Sequence, residues 1–148
     1  MIGKKEILRC SVESFTKYGS KHFTMDEIAQ TLGISKKTIY KYFKGKEDLV
    51  MASVKVLTDE FAFEVEQIIK ENQDPITSIV LIYENGFERL KKFRPSFIFG
   101  IKKYYPSAYE VFQDFRSHII KTVIYDLLEK AKKNGFILHE VKLDLFCD

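Results

Sequence analysis

Apolar residues recur every three or four positions along most of this chain, which is the period of an amphipathic α-helix. The first such stretch covers residues 4–18 and ends before Gly19, a residue that readily takes the positive φ of a helix stop. A second helix is predicted over 25–32, because Thr24 and Glu27 have the spacing of a capping box at its start. No strand pattern is convincing, so the sequence predicts an all-α fold.

Glycine, serine and proline divide the remaining pattern into further helices. Gly33 permits a sharp turn, and Ser35 can cap a third helix that is predicted to run to about Phe43. Pro75 is well placed at a first helical position, and Gly135 is the expected stop of the last helix. The later helical segments are predicted over residues 46–72, 75–90, 96–105 and 108–134.

The composition is that of an ordered protein, with 45% hydrophobic and 30% charged residues among 148. There is neither a signal peptide nor an apolar stretch of membrane-spanning length, so we expect a cytoplasmic protein without a membrane partner. The two cysteines, Cys10 and Cys147, lie at opposite ends of the chain and form no CxxC pair. The three histidines, His22, His118 and His139, lack metal-ligand spacing, so neither a metal nor a cofactor is expected.

Positive charge is concentrated in the first third of the chain. Residues 1–50 hold 10 Lys and Arg against 6 Asp and Glu, whereas residues 51–148 hold 14 against 15. Five lysines stand within eleven residues that contain no acid, namely Lys36, Lys37, Lys41, Lys44 and Lys46. Such a local field attracts phosphate backbones.

The second and third predicted helices have the spacing of a helix-turn-helix. Ala29 is small enough for the close crossing, Gly33 fits the turn, and Ile39 supplies the buried aliphatic side chain. The opposite face of the third helix would then lie in a major groove and consists of Ser35, Lys36, Lys37, Thr38, Lys41 and Tyr42. The alternative interpretation of this face is a solvated basic surface on an ordinary helical bundle.

Residues 15–49 closely resemble the DNA-binding head of TetR-type transcriptional regulators. The positions that match the family pattern are Phe15, Gly19, Thr24, Ile28, Ala29, Gly33, Ser35, Tyr40, Tyr42, Phe43, Lys46 and Leu49. The resemblance implies a three-helix DNA-binding domain over residues 1–46 and a helical effector-binding and dimerisation domain over 47–148. Because no catalytic motif is present, we expect a protein that is not an enzyme.

The resemblance also implies roles for individual residues. Thr24 and Lys46 would clamp backbone phosphates, while the groove-facing set would be Ser35, Lys36, Lys37, Thr38, Tyr40 and Tyr42. For Tyr40, a core role and a DNA-contact role both remain open. Many family members have glycine where this chain has Lys37, so Lys37 could reach a phosphate or a base where the family brings its backbone close to DNA.

In the helical body, aromatic side chains are candidates for lining an effector cavity. The candidates are Tyr83, Phe87, Tyr104, Tyr105, Tyr109 and Phe112. Any one of them is more often plain core. The family's bodies usually continue through two more long helices that pair in a dimer, whereas this sequence stops at residues 143–148, where a further helix would begin. We therefore expect a truncated body or a differently built dimer.

Together these features predict a ligand-responsive repressor that binds a pseudo-palindromic operator as a homodimer and responds to an unknown small-molecule effector. The alternative is a helical adaptor, or a helix-turn-helix protein outside the TetR family, without ligand response.

Overall fold

The computed structural model describes residues 2–19, 23–93 and 96–136, and the regular secondary structure within these ranges is entirely helical. This confirms the predicted all-α class. The helices are α1 (Lys4–Tyr18), α2 (Met25–Leu32), α3 (Lys36–Tyr40), α4 (Lys46–Glu71), α5 (Pro75–Lys91), α6 (Ser96–Tyr104), α7 (Pro106–His118) and α8 (Tyr125–Lys133). None of these described helices is long and apolar enough to cross a membrane.

Helices α1 and α2 have the predicted bounds, whereas α3 is shorter than predicted. It ends at Tyr40. The backbone then continues as a turn, in which the N–H groups of Tyr42 and Phe43 both donate to the carbonyl oxygen of Ile39, at 3.0 and 3.1 Å. Helix α4 then begins at Lys46.

The last predicted helix is divided by a π-helical turn, Ile119–Ile124, which lies between α7 and α8. A π-helical turn widens the i to i+4 ladder to i+5, a change that apolar spacing does not reveal. The helix also begins earlier than predicted, at Pro106, because proline is well suited to a first helical position. Its predicted stop is confirmed, since Gly135 has a φ of 81°.

The chain forms two compact units. The first unit comprises Met1–Asp59 and Leu90–Phe112, and the second comprises Glu60–Arg89 and Gln113–Asp148. These units are defined by packing alone, so the predicted functional boundary after residue 46 stays a prediction. The residues at 143–148, together with Cys147, His22 and His139, lie outside the described residues.

The first unit has a core rich in aromatic residues. The ring of Phe15, on α1, meets the rings of Phe23, Phe97 and Tyr105 at centroid distances of 5.6, 5.0 and 6.4 Å. All three contacts are edge-to-face, the arrangement that aromatic quadrupoles favour. We refer to these four residues as the aromatic cluster.

A buried pair of hydroxyl groups also joins α1 to α4 in the first unit. Ser11 Oγ lies 2.8 Å from Ser53 Oγ, and Ser53 Oγ donates to the carbonyl oxygen of Leu49 at 2.8 Å. Because a hydroxyl group has one proton, Ser11 must be the donor to Ser53.

The second unit has an aliphatic core with a polar clamp beside it. The buried residues of this core are Val65, Ile82, Ile119, Ile124 and Leu127. Beside them, the guanidinium of Arg89, on α5, pairs with Glu64 and lies 3.8 Å from Glu60, both on α4. The same guanidinium lies 5.8 Å from the ring centroid of Phe61.

Candidate nucleic-acid interface

Local hydrogen bonds shape the turn between α2 and α3. At the start of α2, Thr24 Oγ1 accepts a hydrogen bond from the Glu27 N–H at 3.1 Å, which is one half of the predicted capping box. At its end, Gly33 has φ 66° and ψ 33°, the left-handed conformation that glycine takes without steric cost. The Ile34 N–H then donates to the Ala29 carbonyl oxygen at 3.0 Å, which closes the turn.

The start of α3 is capped by Ser35. Its Oγ accepts a hydrogen bond from the Thr38 N–H at 3.3 Å and lies 3.2 Å from Thr38 Oγ1. The hydroxyls of Ser35 and Thr38 therefore stabilise the start of α3. A hydroxyl in such a pair keeps lone pairs for a further contact.

The predicted scaffold residues are buried beneath the turn. Ile39 is fully buried, and Ala29 and Ile28 are nearly so. Leu32 and Ile34 pack against the same core. The burial expected of Ile39 is thus confirmed, and it fixes which side of α3 remains outside.

The outer side of α3 and of the following turn is basic and aromatic. Its exposed side chains are Lys36, Lys37, Tyr40, Lys41 and Tyr42. The Tyr40 side chain is 51% exposed, which favours contact with a partner over a core role. Thr38 and Thr24 are half-buried at the edges of this surface.

An ion pair that the sequence did not reveal links α2 to α3. Lys36 Nζ lies 3.1 Å from Asp26 Oδ1, and both side chains are at least half exposed. The contact is weak in water, about 0–1 kcal/mol, because both side chains are exposed.

Lys46, at the start of α4, lies against two rings of the aromatic cluster. Its Nζ is 5.7 Å from the Phe23 centroid and 5.8 Å from the Tyr105 centroid, both within cation–π range. Lys4 makes a similar contact with Phe43, at 5.5 Å. The charge pattern singled out Lys46 but gave no sign of these ring contacts.

The six candidate effector residues do not share one environment. In the first unit, Tyr105 is buried in the aromatic cluster, Tyr104 is half exposed, and Tyr109 and Phe112 are partly buried with ring centroids 6.3 Å apart. Tyr83 and Phe87 belong to the second unit, where their side chains are exposed. The effector role of all six stays a prediction.

The cysteine that the structure describes has no sign of reactivity. Burial raises the pKa of the Cys10 thiol, and the nearby Glu13 carboxylate adds to this effect. A raised pKa keeps the thiol protonated and poorly nucleophilic. Within the ranges 2–19, 23–93 and 96–136, no three His, Cys, Asp or Glu side chains are grouped so as to hold a metal ion.

Residues 7–52 match the family model described as bacterial regulatory proteins, tetR family. The uncharacterized HTH-type transcriptional regulator YhgD of Bacillus subtilis is 48% identical over 46 residues, which are 31% of this chain and 24% of that protein. A second uncharacterized HTH-type regulator of the same species, YvaF, is 29% identical over 132 residues. The match covers 84% of this chain and 65% of YvaF.

The helical fold extends the likeness beyond the matched segment. The crystal structure of the transcriptional regulator FadR from Bacillus subtilis in complex with stearoyl-CoA superposes with a TM-score of 0.75 at 20% identity. The superposition covers 97% of this chain and 78% of that one. Among the curated relatives, the chain spans 24% of the length of YhgD and 65% of the length of YvaF.

Proposed function

We propose that this chain is a DNA-binding transcriptional regulator of the TetR family and not an enzyme, because residues 7–52 match that family's model and an HTH-type regulator is similar over 84% of the chain. The finer proposal is a homodimer that binds a pseudo-palindromic operator, represses transcription, and is released by a small-molecule effector.

The observation that carries this proposal is the outer face of α3. Burial of Ile39 turns Lys36, Lys37 and Tyr40 outward together. Lysine ammonium groups bind phosphate oxygens or the O6 and N7 atoms of guanine, and exposed aromatic rings contact sugars or thymine methyl groups. A short helix of this composition suits a major groove.

Two further groups support contact with the DNA backbone. Thr24 Oγ1 accepts its hydrogen bond from Glu27, so its own proton is available for a phosphate oxygen. This hydroxyl stands at the N-terminus of α2, where the helix dipole favours an anion. Lys46, at the start of α4, supplies the second contact in our proposal.

We propose a dimer because a single helix-turn-helix domain is small. A single head makes few base contacts, and useful affinity normally needs two heads about 34 Å apart on two half-sites. Sedimentation equilibrium measures the oligomeric state, and a dimer supports this part of the proposal. A protein that stays monomeric and occupies its DNA site as a monomer contradicts it.

Charge reversal tests the DNA-binding face. In a gel-shift assay with the DNA upstream of the protein's own gene, we expect Lys36→Glu with Lys37→Glu to weaken binding by about 100-fold or more. The matched control is Lys102→Glu with Lys103→Glu, which makes the same charge change at exposed residues of α6. Equal losses in the two double variants would contradict the assignment of α3.

The effector class is testable in the same assay. Because a structurally similar regulator was crystallised with stearoyl-CoA, a long-chain acyl-CoA is the first ligand to try. We expect stearoyl-CoA to release the protein from DNA, whereas free coenzyme A should not. The alternative function, a helix-turn-helix protein or helical adaptor without ligand response, is favoured if small molecules of several classes leave the complex intact.

A further inference from the structure

Tyr105 lies far from the helix-turn-helix in sequence but is part of its core. The segment Leu90–Phe112 belongs to the same compact unit as residues 1–59. Within it, Tyr105 lies between α6 and α7 and is 7% exposed. Its backbone is fixed on both sides, because its N–H donates to the Ile101 carbonyl oxygen at 2.8 Å and its own carbonyl oxygen accepts from the Tyr109 N–H at 2.9 Å.

The ring of Tyr105 belongs to the aromatic cluster. It packs edge-to-face on Phe15, with an interplanar angle of 81°. Phe23 packs on the same Phe15 ring from the segment that precedes α2, at 74°. Two rings from separate segments are therefore positioned by one common neighbour.

The ammonium of Lys46 contacts these same two rings. Its distances to the Phe23 and Tyr105 centroids, 5.7 and 5.8 Å, are almost equal. A lysine side chain is flexible, and fixing it in one position costs rotamer entropy. Contacts that restrict the ammonium before binding reduce the ordering cost at the moment of binding.

We propose that Tyr105, together with Phe23, positions the Lys46 ammonium for its contact with a DNA phosphate. This makes Tyr105 a positioning residue for DNA binding that lies outside the helix-turn-helix. The inference rests on the proposed function of Lys46. It also gives Tyr105 a different role from the effector contact expected from the sequence.

The test is a double-mutant cycle on the full chain with a fluorescein-labelled duplex of arbitrary sequence. A cation–π contact of about 0.5–1 kcal/mol corresponds to about a two- to five-fold change in affinity. We expect Tyr105→Leu to weaken binding by this factor, and to have no further effect when Lys46 is already alanine. Tyr105→Phe keeps the ring and should retain nearly all of the affinity.

A matched control is available on the adjacent residue. Lys103 Nζ lies 5.3 Å from the ring centroid of Tyr104, which is a cation–π pair of the same kind on the surface. We expect the cycle of Tyr104→Leu with Lys103→Ala to show no coupling in DNA affinity. Coupling of the same size there would overturn the inference.

A measurement without DNA keeps the inference testable if Tyr105→Leu fails to fold. Ring currents should shift the ε-methylene proton resonances of Lys46 upfield in the native protein, and Tyr105→Phe should retain the shift. Unshifted resonances in the native protein overturn the inference regardless of DNA binding.

The outcomes also separate this inference from the proposed function. If Lys46→Ala leaves both affinity and salt dependence unchanged, the phosphate role of Lys46 fails and the inference fails with it. If Lys46→Ala weakens binding but Tyr105→Leu has the same effect in both backgrounds, only the inference is overturned.

Discussion

In the first unit three aromatic rings pack on Phe15, whereas in the second unit the guanidinium of Arg89 contacts two carboxylates and one ring. The first arrangement is buried and depends on shape. The second lies at the edge of an aliphatic core and depends on charge. The difference indicates that the first unit should be sensitive to lost volume, and the second to lost charge.

The largest expected effect is that of Phe15→Ala. Its side chain is fully buried and contacts three rings, so we expect the free energy of unfolding to fall by about 3–5 kcal/mol. Urea denaturation measures this loss. Phe61→Ala in the second unit is the comparison, and it should cost less because Phe61 is partly exposed. Equal costs would remove the distinction between the two units.

Alanine substitution of one glycine in each unit should have opposite effects. Gly33→Ala forces a side chain into φ 66°, and we expect a loss of about 1–2 kcal/mol although nothing lies within 4 Å of the added Cβ. Gly86→Ala, within α5, should gain about 0.5–1 kcal/mol, because alanine favours a helix and the Cβ would make an ordinary contact with Phe61. Thermal unfolding monitored by circular dichroism gives both signs, and a loss at Gly86 would contradict this account.

Substitution of Arg89 tests the role of charge in the second unit. We expect Arg89→Met to cost about 1 kcal/mol, since the guanidinium is mostly shielded from solvent and pairs with Glu64. Lys55→Met removes an exposed pair with Asp59 in the first unit and should cost about 0.3–0.5 kcal/mol. Urea denaturation at low and at high salt measures both losses. High salt should reduce the stability loss of Lys55→Met more than that of Arg89→Met.

The smallest effect concerns pH and Asp74, which precedes α5. The Thr77 hydroxyl, at 2.5 Å, and then the N–H groups of Ile76 and Thr77 lower the pKa of the Asp74 carboxyl below its ordinary value of 3.8. A lowered folded-state pKa stabilises the fold above the unfolded value, and this contribution disappears as pH falls through the folded value. Asp74→Asn should therefore flatten the acid limb of stability below about pH 4.

The assignment of this pKa to Thr77 has its own check. In an NMR titration, Thr77→Val should raise the pKa of Asp74 while both backbone hydrogen bonds remain possible. An unchanged titration curve would show that the hydroxyl is not the main cause.

Local signals predicted much of the first unit correctly. The bounds of α1 and α2, the turn at Gly33 and the burial of Ile39 all follow from neighbours within a few residues. The Lys36–Asp26 ion pair and the burial of Tyr105 were missed, because they join segments that are separate in the sequence.

The second unit was predicted less completely for a similar reason. Apolar spacing correctly gave a long helical stretch at the end of the described chain, but a six-residue π-helical turn preserves roughly the same spacing. The DNA-binding and effector assignments depend on molecules that no residue pattern fixes. They stay predictions for the experiments described above.

The hydroxyl pair of Ser11 and Ser53 has a consequence for how this sequence can evolve. If Ser11 changes to alanine first, Ser53 still donates to the Leu49 carbonyl oxygen and no buried hydroxyl is stranded. If Ser53 changes first, the Ser11 hydroxyl loses its acceptor at a cost of about 1–3 kcal/mol. Replacement of both serines by alanine should therefore begin at Ser11. Related sequences in which only one serine has been replaced should carry alanine at position 11 and serine at position 53.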